Sequence, residues 1–211
     1  MNFIRETLAR DTPGRDPAAL CKRLLPGRWA IEAGYEPPPW HDPARLLSGR
    51  GVLDAIALSL GSSAVLNLDL GPALAEHLAG LGVSPGPLAG LALHELIINA
   101  AIHGNLSVGS GRSAQWRDLA ERQSAIAGAL ANPVCAARAV TIAIGWHAAG
   151  ITAVIADEGE GYDTAASPAA TRSSGRGLSL ARRVGHVDVG CGGRQTTITL
   201  ARLPGLEAGP P

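Results

Sequence analysis

Residues 91–105, LALHELIINAAIHGN, constrain this chain more than any other stretch. Leu93, Leu96, Ile97, Ala100 and Ala101 recur at helical spacing and give one buried face. Glu95, Asn99 and His103 stand at i, i+4 and i+8, so a single helix carries them as a polar stripe. A carboxylate, a carboxamide and an imidazole along an otherwise apolar helix are costly to bury without partners. A phosphate–metal site would supply them. An amphipathic helix with one solvated edge is the plainer alternative, and the stripe alone does not decide between the two.

Two downstream motifs bear on that choice. The apolar run 151–156 is followed by Asp157-Glu158-Gly159-Glu160-Gly161, and Gly175-Arg176-Gly177-Leu178 opens a helix-like segment. Asp157 at the end of a strand reads either as a turn former before glycine or as a buried acceptor. Gly159 and Gly161 let the backbone approach a ligand with no Cβ in the way. Gly175 and Gly177 ahead of a helix allow backbone N–H groups to point at phosphate. No GxxxxGK[ST] run is present, and Lys22, the sole lysine, lies in the wrong context for one, which excludes a P-loop mechanism.

The ordered set E-x-x-x-N-A-x-x-H-G, D-x-G-x-G and G-x-G-L resembles the N, G1 and G2 boxes of the GHKL ATP-binding superfamily, which includes gyrase, heat-shock chaperone ATPases and histidine kinases. The H-G-N-L run at residues 103–106 is most similar to the branch of anti-sigma-factor serine/threonine kinases, and the match covers about residues 62–203. The resemblance implies ATP and Mg²⁺ as cofactors. It implies Glu95 as general base, Asn99 as Mg²⁺ ligand and Asp157 as acceptor of the adenine amino group. Gly159, Gly161, Gly175, Gly177 and Leu178 would line the nucleotide. Arg176 would face phosphate or solvent, and His103 would either contact phosphate or close the helix near Gly104. His94 falls on another helix face and reads as structural; Ile98 breaks the H-[ED]-x-x-[NT] phosphoacceptor signature. The family's last box is Gly-Thr. Here Gln195 stands before Thr196, so Thr196 is the equivalent threonine in an altered setting.

The apolar fraction of 46% supports a core, and with 3% aromatic residues that core is aliphatic. Eighteen basic and eighteen acidic residues cancel, which argues against a nucleic-acid binder acting by general phosphate attraction. Cys21, Cys135 and Cys191 are odd in number and widely spaced, with no C-x-x-C pair, so neither a disulfide framework nor a zinc site is expected. No apolar run nears the ~18–20 residues that span a bilayer, and residues 1–11 lack a signal-type apolar segment. The expectation is a cytoplasmic protein with no membrane or nucleic-acid partner.

Along the chain the pattern predicts helices over residues 5–10 and 17–25, then a Pro-rich connector at 32–43 in which Trp40 and His41 could anchor to the main domain. Residues 51–60 read as strand or short helix, 64–70 as a half-buried strand, and 73–81 as a short helix. A helix is expected over 114–130, a hairpin over 140–156, a short helix over 177–184, and strands at 187–189 and 196–201. Residues 162–174 correspond to the resembled family's ATP lid, and 204–211 read as a disordered tail. The expected fold is α+β, a two-layer sandwich of a mixed, mainly antiparallel sheet and helices, the Bergerat-type ATP-binding fold of the resembled family. Residues 1–60 would form an extension and 61–203 the ATP-binding domain. The implied function is transfer of the ATP γ-phosphate to a serine or threonine of a partner protein, a sigma factor or an anti-sigma-factor antagonist serving as partner, with a homodimer as a further expectation. The alternatives are a nucleotide-gated interaction module without turnover and a stand-alone histidine-kinase-like ATPase domain.

Overall fold

The computed structural model describes residues 1–9, 16–109, 119–148, 150–161 and 175–201. The expected lid, the tail and the start of the helix expected at 114 lie outside these residues. Within them the chain is a seven-stranded mixed sheet in the order β1-β2-β3-β4-β5-β7-β6 with most of its helices packed on one face, the expected two-layer α/β sandwich.

The strands are β1 (Ile4–Leu8), β2 (Arg28–Glu32), β3 (Asp54–Gly61), β4 (Ala139–His147), β5 (Gly150–Ala156), β6 (His186–Gly190) and β7 (Gln195–Ala201). β1, β2 and β3 run parallel, and every later pairing is antiparallel. Sheet alternation sorts the side chains into two cores. Ile56, Leu58, Leu60, Val140, Ile142, Ile144, Ala153, Ile155, Ile198 and Leu200 face the helices. Trp29, Ile31, Ala55, Ala57, Ala143, Val154 and Ala156 face the other side, where Leu46 and Leu47 cover them.

The helix layer contains α1 (Pro17–Cys21), α3 (Ser62–Leu66), α4 (Leu70–Gly80), α5 (Ala89–Asn99) and α8 (Gly175–Val184), with α2 (Pro43–Leu46) on the opposite face. α6 (Leu119–Ala131) and α7 (Pro133–Ala137) lie beside the end of the central helix, where Ile126, Ala129 and Leu130 pack on Ile102, Leu106 and Val108. α4 and α5 approach closely because both carry glycine at the contact. A Cβ on Gly71 would lie 2.2 Å from the Gly90 carbonyl oxygen and 2.4 Å from the His94 nitrogen. His94 also pairs its Nδ1 with Asp69 at 3.0 Å, the structural role its helix face predicts.

Three expectations are corrected. Residues 5–10 do not form a helix: Ile4–Leu8 is a strand, because pairing with β2 gives its backbone partners that so short a helix could not keep. Residues 64–70 do not form a strand: both edges of β3 are taken by β2 and β4, so the chain turns at Gly61 into α3, and Leu70 opens α4. The stretch 51–60 resolves to β3, whose last residue is Gly61, so the boundary expected at residue 61 falls inside a sheet that β1 and β2 extend.

Candidate functional site

The central helix does not run to Asn105 as one α-helix. α5 ends at Asn99 and residues Ala100–Asn105 form a π-helical turn, closed by Leu106 N–H donating to the Ala101 carbonyl. Such wide turns cost hydrogen-bond geometry and concentrate at functional sites. Here the turn sets Gly104 and Asn105 against the segment that leaves β5.

Odd-numbered residues of β5 face the helices, so Asp157, the first residue past the strand, points into the helix layer and Glu158 points the other way. Asp157 is 5% exposed. Its Oδ1 accepts the Gly159 N–H at 2.9 Å; among the described residues its second oxygen has no hydrogen-bond donor. Burial pushes the carboxyl up to about 6, against the lowering effects of the Gly159 N–H and the Arg194 and Arg138 charges. The floor beneath it is glycine by necessity. A Cβ on Gly104 would sit 2.3 Å from Asp157 Cγ, and one on Gly159 would sit 2.3 Å from the Gly104 carbonyl oxygen. Gly161, at φ +78°, meets the Gly192 carbonyl in the turn between β6 and β7, so both glycines of the motif are needed for close approach.

Thr196 lies on the same sheet face as Asp157. It pairs with Ile155, and Asp157 N–H donates to the Arg194 carbonyl at 3.0 Å, so the two side chains are diagonal neighbours on adjacent strands. Gln195 begins β7, with Cys191 Sγ–H donating to its Oε1 at 3.5 Å. Gly175, Arg176, Gly177 and Leu178 form the first turn of α8, two residues earlier than the expected helix start, and α8 packs along α5. The N–H groups of a first helical turn have no partner within the helix and are the donors a phosphate would use.

Glu95 and Asn99 are half-buried on α5, and neither side chain has a hydrogen-bond partner among the described residues. His103 is different. Its Nδ1 lies 2.7 Å from the Val108 carbonyl, which only accepts, so Nδ1 carries the proton and Nε2 of the neutral ring is an acceptor. Burial, the largest effect, lowers its pKa, which disfavours the imidazolium that a phosphate contact at Nε2 would require. The ring closes the π-turn.

Residues to which the sequence assigned no role at the site complete the arrangement. Asn105 is fully buried and donates to Ser62 Oγ at 3.0 Å; its Oδ1 accepts the Glu158 N–H at 2.7 Å, and its carbonyl accepts Arg138 Nη1 at 2.8 Å. It thereby ties the end of β3, the start of β4 and the motif after β5. Its place in the H-G-N run is the one local signal for it. Tyr35 donates its hydroxyl to Glu158, whose pKa burial raises, and burial and that carboxylate together hold the phenol protonated. His41, fully buried, anchors the connector as its position suggests, whereas Trp40 is 54% exposed and meets His41 edge-on.

A shallow cavity lined by Leu81, Val83, Ser84, Trp146 and Ile151 lies at the opposite end of the sheet, beside the β4–β5 turn, and shares no residue with this site. Among the described residues no group of three or more His, Cys, Asp or Glu side chains is placed to hold a metal ion; a cation held by Asn99 and phosphate oxygens would need no such group. No helix of the described residues is long and apolar enough to cross a membrane. Compared with models of protein families, with characterised proteins and with solved structures, the chain matches none.

Proposed function

We propose that this chain binds ATP with Mg²⁺ between α5, the first turn of α8 and the Asp157 motif, and transfers a phosphoryl group to a serine or threonine of a partner protein. The observation that carries the reading is the Asp157 carboxylate: buried, floored by glycine, and with one oxygen lacking a donor among the described residues. A buried acceptor in that state calls for a ligand donor. The exocyclic amine of adenine supplies one, and a base presenting a carbonyl there would face the carboxylate oxygen to oxygen, so adenine is selected over guanine. Thr196 lies on the same face, which supports a part for it in holding the ring.

Asn99 and Glu95 stand one turn apart on α5, and their side chains have no hydrogen-bond partner among the described residues. The Asn99 carboxamide oxygen suits a hard cation shared with phosphate oxygens. Glu95 suits the removal of a proton from an attacking hydroxyl. ATP would supply the transferable phosphoryl group. The backbone N–H groups at Gly175 to Leu178 would orient its phosphates. A sigma factor or an anti-sigma-factor antagonist is the proposed class of partner.

Calorimetric titration with Mg-ATP and Mg-GTP tests the site. The wild type is expected to bind Mg-ATP, Asp157→Asn to lose its preference over Mg-GTP, and Asn99→Ala to lose its Mg²⁺ dependence. Absence of wild-type binding at millimolar nucleotide would sink the reading. Turnover abolished in Glu95→Ala with binding intact identifies phosphotransfer; no turnover in either protein identifies a module that uses nucleotide only to order a partner surface.

A further inference from the structure

The connector, residues 33–43, crosses the sheet face opposite the helices and reaches the Asp157 motif from behind. His41 Nε2 lies 3.4 Å from the Asp157 carbonyl, which only accepts, so Nε2 carries the ring proton. Nδ1 is then an acceptor and takes the Thr141 hydroxyl at 2.9 Å; Thr141 in turn accepts from Ser59 at 2.7 Å, and Ser59 accepts from Trp29 Nε1 at 2.8 Å. Every donor in this buried row points the same way, and the row ends on the motif. It requires a neutral imidazole, and burial holds His41 neutral. Tyr35 meets the next residue, Glu158.

The peptide between Asp157 and Glu158 is therefore held at both ends. Its C=O is taken by His41 from the connector side and its N–H by Asn105 from the helix side. In a trans peptide these groups point in opposite directions, so the two bonds fix rotation of the plane and with it the direction of the Asp157 Cα–Cβ bond. A misplacement of about 1 Å at a recognition group is enough to weaken it severely.

We infer that Tyr35 and His41 are positioning residues for the base-recognition carboxylate, acting through Glu158 and the Asp157 carbonyl. They touch no ligand themselves. The inference rests on the nucleotide reading above.

Two readouts on the full chain test it. In nucleotide-free protein, amide hydrogen exchange is followed at Glu158 and Gly159, whose N–H groups bond Asn105 and Asp157, and at Ile142 and Ile155 in the sheet. Mg-ATP and Mg-GTP affinities are measured alongside. Tyr35→Phe and His41→Asn are expected to speed exchange at Glu158 and Gly159 about fivefold or more while the sheet amides hold, and to weaken Mg-ATP binding by a similar factor with a reduced ATP preference. His41→Gln, whose side-chain N–H can replace Nε2–H, should restore both. Uniform acceleration at all four amides, or exchange at Glu158 and Gly159 equal to wild type, overturns the inference. Wild-type binding of Mg-ATP that Tyr35→Phe and His41→Asn leave unchanged overturns it alone. No binding by the wild type removes the nucleotide reading and this role with it.

Discussion

Asp157 and His41 sit on either side of one peptide, and the fold resists charging both. Burial takes Asp157 from 3.8 up to about 6, so the folded state holds a proton that the unfolded chain has released, and this contribution to stability is lost as pH rises through 6. Burial takes His41 from 6.5 down to about 4, so its contribution is present above 6.5 and lost as pH falls through 4. Glu158 adds to the first trend and His103 to the second. Between pH 4 and 6 the opposed slopes offset one another, and wild-type stability should vary little there. Asp157→Asn removes one of them. Relative to wild type it should gain on the order of 3 kcal/mol between pH 4 and pH 7, at about 1.4 kcal/mol per pKa unit, read from urea denaturation across that range. Parallel curves for the two proteins would show that the carboxyl is not desolvated as described. At this scale Asp157 was legible because a strand ending in D-x-G-x-G marks itself locally. Tyr35 was not: its partner Glu158 is 123 residues away, and no local pattern encodes that contact.

Among the elements, the contact between α4 and α5 carries the site, since α5 bears Glu95 and Asn99 and continues into the Gly104 turn. The two helices meet backbone to backbone at Gly71 and Gly90. Gly71→Ala would place a methyl 2.2 Å from a main-chain oxygen that no rotamer can move aside. The helices must then separate, at a cost of about 1–3 kcal/mol, and chemical denaturation should show a lower midpoint with an unchanged slope. A midpoint equal to wild type would mean that the helices part freely. Apolar periodicity revealed α5 because its face is continuous from Leu93 to Ala101. It hid the π-turn, since one extra residue per turn hardly alters which side chains are apolar. The same period-two pattern that identified β4 misled at 64–70: Leu66, Leu68 and Leu70 alternate, but both edges of β3, the strand just before them, are taken by β2 and β4.

At the scale of the whole molecule, residues 1–53 close the sheet from both sides. The connection from β1 to β2 carries Leu20 and Leu24 into the helix-side core, and the one from β2 to β3 carries Leu46 and Leu47 onto the other face. Both connections step the same way across parallel strands, so passing over opposite faces gives them opposite hands, and one is the left-handed kind that sheets seldom contain. A chain lacking residues 1–53 would expose the β3 edge together with Ala55, Ala57, Ala143 and Val154. It should aggregate and lose cooperative unfolding, as size-exclusion chromatography with light scattering would register; a monomer that unfolds in one sharp transition would contradict this.

The pairing of β3 with β4 also sets a schedule for biosynthesis. Ser59 and Thr141 bond across 82 residues. At translation rates of about 5–20 residues per second, β3 emerges roughly 4–16 s before the strand that completes its ladder. For that interval Ile56, Leu58 and Leu60 have no antiparallel neighbour, and the nascent chain presents the cell with an adhesive ribbon. Yield in a host should therefore track the supply of holding chaperones, even where the finished protein is robust.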